Sequence, residues 1–278
     1  MNRPVWTAVA AALVFCSLQC AQFESSPAWQ GVKITDLGPP NAAQEQSGRL
    51  ETANFDLFIY ELPADDFAKL ADLWESLNTG GIKYYSYRAF EANLFRAALG
   101  RRFTWSGTLD MLAAAGGRRM AKISLLLPPA QPQDVTITGL DQPRKLAYVS
   151  RDLTRQSGPL GPGVMVLRLT AQKVPGVRGL AQLTAYPALT RPVVPPVEPL
   201  AEQAKQQQTE FKGAGLGLKM GPDDYLVLGP RKYLSEQVTL PGLFFSNPAG
   251  TLFLARGRHP QLEPAFRVFV LVCTTVNY

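Results

Sequence analysis

The sequence predicts an α+β protein in which a small α/β lobe, residues 49–121, precedes a β-rich lobe, an antiparallel sandwich or partial barrel, at residues 122–278. Before Met120, apolar residues alternate between strand-like and helix-like spacings. After Met120, short apolar runs are separated by Gly and Pro, as in antiparallel folds. With 278 residues, 46% hydrophobic and 18% charged, the chain is long enough to bury a sizeable core.

Residues 1–20 predict an export signal. Arg3 precedes an apolar run from Val5 to Phe15, which is too short to span a bilayer because a span needs about twenty apolar residues. Two boundaries stay open: peptidase cleavage near Ala21, or lipidation of Cys20, which here follows the bulky Gln19. We therefore expect an exported protein of the periplasm or outer membrane, anchored to the membrane if Cys20 carries a lipid.

Residues 21–48 predict a flexible tether. They contain Ser25-Ser26-Pro27, Gly38-Pro39-Pro40 and the polar run Asn41 to Gly48, and they have almost no apolar periodicity, so they offer little surface to bury.

The first lobe is predicted as strand, helix, strand, helix, helix. Phe55 to Tyr60 alternates like a strand and Pro63 ends it. Asp65 begins a helix whose apolar residues recur at three and four positions up to Leu77. The remaining elements of this lobe are a strand at Ile82 to Tyr87, a helix at Phe90 to Leu99, and a helix at Ser106 to Ala115 ended by Gly116-Gly117.

The second lobe is predicted as a series of short strands. They are Lys122 to Leu127, Val135 to Thr138, Lys145 to Val149, Val164 to Thr170, Ala181 to Tyr186, Tyr225 to Leu228 and Phe266 to Val276. A Pro/Gln-rich excursion at residues 191–210 separates the fifth strand from the sixth, because no strand accommodates prolines at 192, 195, 196 and 199. Loops of this length are usually functional or disordered.

The charge pattern excludes a nucleic-acid role. The net charge of +6 includes Arg3, so +5 remains once the signal is removed. Basic residues are scattered in pairs, and aromatic residues do not alternate with them as a stacking platform requires. This weak basicity suits an acidic glycan or an anionic lipid surface as well as it suits ordinary solvated surface pairs.

The cysteine and histidine residues do not suggest a metal site or a catalytic nucleophile. Cys16 leaves with the signal, and Cys273 lies in an apolar run where burial is expected. The single histidine, His259, lies in a loop without a sequence neighbour that would make it a base. Asp223-Asp224 and the glycines from Gly213 to Gly217 fit turns and bulges better than metal or phosphate binding.

No catalytic residue is nominated either. The chain lacks the Gly-x-Ser-x-Gly elbow of serine hydrolases. Two facing carboxylates would make a glycosidase, but the spacing selects no pair. The acids that could supply such a pair are Asp56, Glu61, Asp65, Asp66 and Glu75. We therefore predict a protein that is not an enzyme and uses no cofactor.

From Phe55 onward, the order of features resembles the C-terminal half of bacterial secretins, the outer-membrane rings of secretion and pilus systems. The matching segments are Phe55 to Trp74, Leu109 to Ala115 with the strand ending at Pro128, Ile137-Thr138-Gly139 with Tyr148-Val149, Gly163 to Thr170, Gly179 to Pro187, Gly221 to Gly229, Leu240 to Phe245, and Phe266 to Thr275. The chain departs from the family at Pro230, where a second glycine is expected, and in the Pro-rich segment that takes the place of a lipid-facing hairpin. The resemblance implies a ring or other oligomer.

Three hypotheses about function follow. The first is a non-catalytic envelope protein with a structural or interaction role, which associates with itself or with other envelope proteins through its β edges. The second is a glycan- or peptide-binding module that uses Tyr84 and Tyr87, since strand alternation exposes these two and buries Tyr85; core filling is the alternative for these rings. The third is a carboxylate hydrolase.

Overall fold

Antiparallel β-strands make up most of the described chain, which comprises residues 51–190, 208–253 and 261–278 of a computed structural model. The strands are β1 (Thr52–Pro63), β2 (Lys83–Tyr84), β3 (Phe95–Gly100), β4 (Arg118–Leu127), β5 (Pro132–Leu140), β6 (Arg144–Val149), β7 (Arg155–Leu160), β8 (Gly163–Lys173), β9 (Ala181–Thr190), β10 (Thr209–Glu210), β11 (Leu216–Met220), β12 (Tyr225–Pro230), β13 (Ser246–Phe253) and β14 (Gln261–Asn277). The α-helices are α1 (Ala71–Ser76), α2 (Tyr87–Ala92), α3 (Trp105–Ala114) and α4 (Leu240–Phe245), with 3-10 turns at Ala64–Leu70, Arg102–Thr104 and Lys212–Ala214.

Two six-stranded sheets and one hairpin contain all these strands. The first sheet has the order β3-β12-β14-β1-β4, and β13 also pairs with β14. The second has the order β2-β11-β9-β8-β5, and β10 pairs with β9. Strands β6 and β7 form the separate hairpin. This is a β-rich α+β fold, as the sequence predicts.

The central strands of the first sheet are apolar on both faces. On β1, Phe55 and Leu57 join a core shared with the second sheet, whereas Tyr60 and Leu62 join a core on the opposite face. The opposite-face core also contains Trp74 of α1 and Leu112 of α3, so helices cover that face. The near-continuous apolar run of β14 follows from this double burial, because successive side chains enter different cores.

The predicted division into lobes at 49–121 and 122–278 is wrong. Residues 50–278 form one compact unit. Strand β1, from the predicted first lobe, pairs along its whole length with β14 at the C-terminal end, and the predicted boundary falls inside β4. Pairing between segments some 200 residues apart leaves no mark in local periodicity.

Most predicted elements occur, and the clear errors lie between Ile82 and Leu99. The strand predicted at Ile82 to Tyr87 is reduced to the two residues of β2, and α2 begins at Tyr87. The seven strands predicted after Met120 and the helix predicted at Ser106 to Ala115 are confirmed, with bounds shifted by a few residues. The helix predicted at Phe90 to Leu99 is wrong, because α2 ends at Ala92 and β3 begins at Phe95. The chain turns at Leu94, which has a left-handed φ of 57°. Leucine rarely adopts this conformation, so the sequence does not predict a turn there.

Several predictions lie outside the described residues. They are the export signal at 1–20, Cys20, the tether at 21–48, His259, and most of the excursion at 191–210. The end of that excursion is described, and its last two residues form β10 beside β9. No described helix has both the length and the apolar character needed to cross a bilayer.

Candidate functional site

Tyr84 and Tyr87 line one cavity of about 330 Å³ beside α2 and β3, which we call the aromatic cavity. Its wall also contains Phe90, Glu91, Arg96 and Arg231. The cavity therefore combines aromatic surface with two cations and one acid. Its volume is within the range typical of small-molecule sites.

The local sequence sets the aromatic rings through a short strand and a capped helix. Tyr84 lies in β2, where it pairs with Leu216. Ser86 caps α2, since its Oγ accepts the N–H of Ala89 at 3.3 Å, and Tyr87 is the first helical residue. The Tyr84 ring centroid lies 4.6 Å from that of Phe90 and 5.3 Å from that of Tyr87. These contacts hold Tyr84 in place and leave Tyr87 at the rim.

The two arginines of the cavity come from neighbouring strands. Arg96 of β3 pairs with Gly229 of β12, and its guanidinium lies 4.9 Å from the centre of the Trp74 ring. Arg231 follows β12, and its backbone N–H donates to the Leu94 carbonyl at 2.8 Å. Burial, and then the charge of Arg231, lower the pKa of Arg96, while Glu75 acts in the opposite direction. Both arginines line the same cavity, so a bound anion would reduce the repulsion between them.

Glu91 neutralises only one of these cations. The Tyr87 hydroxyl donates to its Oε1 at 2.7 Å, and the Arg231 guanidinium pairs with the same oxygen. The hydrogen bond from Tyr87, followed by that from Arg231, lowers the pKa of Glu91. Arg96 forms no salt bridge with any described residue. The aromatic cavity therefore contains one arginine, Arg96, that forms no direct salt bridge among the described residues and interacts with the carboxylate of Glu75 only at longer range.

A second cavity of about 490 Å³, which we call the basic cavity, adjoins the same loop. It is lined by Asn78, Gly80, Gly81, Lys83, Leu99, Arg101, Gln182, Leu218 and Lys219. The loop residue Thr79 lines the aromatic cavity, whereas its neighbours Asn78 and Gly80 line the basic cavity. Three cations and no acid face this second space.

The tyrosine predictions are only partly correct. Tyr87 is exposed, at 56% of its surface, as predicted. Tyr84 is half-buried against the core rather than exposed, and Tyr85 is half-buried rather than buried, with its ring 6.4 Å from that of Tyr186. Strand alternation fails here because β2 has only two residues and a helix begins at Tyr87.

The acids considered for hydrolysis have separate partners. Asp56 pairs with Lys122 at 2.9 Å and accepts the Ser124 hydroxyl at 2.7 Å. Asp66 pairs with Lys69. Buried Glu61 binds Arg267 and Thr251. Asp65 and Glu75 are exposed.

The remaining chemical candidates are structural in the described part of the chain. Asp224 accepts the Gly221 N–H at 2.9 Å and Asp223 has a φ of 68°, so both belong to the predicted turn. Cys273 is buried as predicted, and burial raises its thiol pKa to about 12. Among the described residues, no group of three or more His, Cys, Asp and Glu could hold a metal ion.

A second arginine cluster, the Arg168 network, lies on the second sheet. Arg168 donates two bonds of 2.7 Å to the carboxylate of Asp134 and further bonds to Gln208 and Glu210. Glu210 also accepts the Tyr186 hydroxyl at 3.0 Å and pairs with Lys212 at 2.7 Å. The bonds to Asp134 raise the pKa of Arg168, and burial, followed by the bond to Glu210, raises that of Tyr186 to about 12.

The sequence pattern does not identify the cations of either cavity. It predicts a helix around Arg96, it places Arg101 and Arg231 in two of the scattered basic pairs, and it gives no sign of a role for Lys83 or Lys219. One feature of the sequence does point to Arg96: apolar Phe95, Ala97 and Leu99 alternate with the residues between them, as in a strand.

No family model, curated protein or solved structure matches the chain.

Proposed function

We propose that this is an exported, non-catalytic cell-envelope protein that binds an anionic glycan or peptide in the aromatic cavity. The observation that carries the proposal is that Arg96, which forms no salt bridge with a described residue, lines the same cavity as the exposed ring of Tyr87. Aromatic faces pack against the apolar side of a ligand, and a guanidinium forms charge-assisted hydrogen bonds with an oxyanion. The cavity offers both kinds of contact within one small volume.

Calorimetric titration of the full chain tests this binding. Digalacturonate supplies a carboxylated sugar, and the dipeptide Asp-Phe supplies an anionic peptide. We expect one of the two to bind, and Arg96→Gln to weaken that binding at least about tenfold, because a hydrogen bond to a charged group contributes about 1.5–3 kcal/mol. Tyr87→Ala should weaken it about threefold.

The matched control is Arg88→Gln, on the exposed side of α2 and outside the cavity wall. Equal losses in Arg96→Gln and Arg88→Gln would contradict a specific site. Release of shorter products from either probe would contradict the non-catalytic part of the proposal.

A second candidate role is assembly through the free edge of β4. This strand has ten residues and pairs only with β1 among the described strands. An unpaired edge offers free backbone donors and acceptors to another strand. Its exposed apolar residues Met120 and Leu126 would add contacts to such a pair. Assembly also follows from the resemblance to secretins.

Sedimentation velocity in mild detergent tests this assembly at concentrations far above micromolar. We expect an oligomer that the double variant Met120→Lys with Leu126→Lys converts to monomer, because like charges then face each other across the strands. The control is Val177→Lys, an exposed apolar position in the turn between β8 and β9. A monomeric wild-type chain would refute this role.

Export and anchoring are tested on the mature protein. Mass spectrometry of the N-terminus should find either cleavage near Ala21 or a lipid on Cys20 as the first residue. An intact Met1 on protein recovered from the producing cells would refute export.

A further inference from the structure

We infer that the ligand is an acidic glycan with repeated oxyanions, which extends from the aromatic cavity into the basic cavity. This inference rests on the proposed function and adds the class of ligand and a second subsite. The two cavities share the segment at residues 78–84, which ends in β2 and contributes Tyr84 to one cavity and Lys83 to the other. A ligand long enough to cross this segment meets cations on both sides of it.

The cations of the basic cavity have no partner acid in the described chain. Lys83, Arg101 and Lys219 are exposed and form no salt bridge there. Their charges repel one another unless a bound anion intervenes. One oxyanion in the aromatic cavity accounts for Arg96 alone, so several oxyanions along one ligand are needed to compensate all four cations.

The polar groups of the basic cavity favour sugar over peptide. Asn78 Oδ1 accepts the Gly80 N–H at 2.7 Å and Gln182 Nε2 donates to the Leu218 carbonyl at 3.3 Å. Asn78 Nδ2 and Gln182 Oε1 form no hydrogen bond with a described residue, and an amide donor and an amide acceptor of this kind suit hydroxyl groups. A peptide would gain most by pairing with a sheet edge. At the cavities, the edge of β3 is already occupied, because Asn78 and Leu99 exchange backbone hydrogen bonds of 3.0 and 2.7 Å. The other nearby edge strand, β2, has only two residues, so it offers a peptide few backbone partners.

The experiment compares short and long probes by calorimetry on the full chain. Digalacturonate carries two carboxylates and is the probe for a single cavity, whereas hexagalacturonate carries six and is the probe for both. We expect the hexamer to bind at least about tenfold more tightly, because the second subsite acts within the same complex. The triple variant Lys83→Gln, Arg101→Gln, Lys219→Gln should weaken hexamer binding about five- to tenfold and change dimer binding less than about twofold.

The control variant is Lys145→Gln with Arg155→Gln, which removes two exposed cations from the β6–β7 hairpin. All substituted side chains are exposed, so equal melting temperatures will confirm intact folds. A sulfated hexasaccharide of equal charge distinguishes the source of the oxyanion: tighter binding than hexagalacturonate assigns sulfate, weaker binding assigns carboxylate, and either supports an acidic glycan.

Three outcomes overturn the inference. Equal affinity for dimer and hexamer would remove the second subsite while the proposed function stands. Equal affinity for hexathymidylate and hexagalacturonate would reduce the site to unspecific attraction of polyanions. Absence of binding by digalacturonate and hexagalacturonate alike would exclude the glycan, and absence of binding by Asp-Phe as well would refute the proposed function.

Discussion

The aromatic cavity and the Arg168 network contain the same residue types but differ in how their charges are paired. Each combines arginine, tyrosine and glutamate side chains. In the network, Arg168 and Lys212 pair with Asp134 and Glu210, so two positive charges meet two negative charges. In the cavity, Glu91 forms its salt bridge with Arg231, and Arg96 forms none with a described residue. We therefore distinguish the structural cluster from the proposed binding site by the number of salt-bridge partners rather than by composition.

The largest expected effect is on stability when Arg168 is removed. Arg168→Met should lower the free energy of unfolding by about 2 kcal/mol, because Asp134 and Glu210 lose charge-assisted bonds at partly buried positions. Arg96→Met should cost less than about 1 kcal/mol, since it loses mainly its contact with the Trp74 ring. Urea denaturation of both variants measures the difference. Equal costs would erase the proposed distinction between the two clusters.

A smaller effect is expected at alkaline pH. Tyr186 ionises near its ordinary pKa of 10 in the unfolded chain and near 12 in the folded chain. Its contribution to stability is therefore fully present below pH 10 and is lost as the pH rises to 12. After allowance for solvent screening this amounts to about 1 kcal/mol.

Urea denaturation between pH 9 and pH 12 measures this loss. Tyr186→Phe should flatten the decline, and Tyr148→Phe, outside the network, should leave it unchanged. An unaltered slope in Tyr186→Phe would mean that this hydroxyl is not bound to Glu210 in solution.

The smallest effect concerns Glu91 as an internal competitor for Arg231. Glu91→Gln removes the negative charge but keeps a hydrogen-bond acceptor, so Arg231 becomes available to the ligand. Affinity for digalacturonate should rise two- to threefold, about 0.5 kcal/mol. The control is Asp110→Asn, an exposed acid on α3. Weaker binding in Glu91→Gln would place Glu91 among the ligand contacts instead.

The low pKa of Glu91 extends this prediction to acid conditions. Because its folded pKa lies below its ordinary value of 4.5, the pair with Arg231 persists above that value and breaks as the pH falls through the lowered pKa. A sulfated probe, which stays charged there, should then bind the wild-type chain more tightly. The same shift should be absent in Glu91→Gln.

Local pattern was sufficient for some elements and misleading for others. The run from Phe266 to Cys273 predicts a buried strand, and β14 is the central strand that two cores require. The segment from Phe90 to Leu99 fits helical spacing equally well, and pairing of Phe95–Gly100 with β12 decided the outcome. Tyr87 could be selected as an exposed aromatic, but Arg231 could not, because 140 residues separate it from the Glu91 with which it pairs.

The sequence by itself determined the β-rich α+β class, the positions of most strands after Met120 and the burial of Cys273. These properties depend on the alternation of neighbouring residues, which the chain carries locally. Only the tertiary structure decided that residues 50–278 form one unit and that Arg96 and Arg231 face Tyr84 and Tyr87. Strand order and register join distant segments, and the charges left uncompensated after folding depend on those contacts.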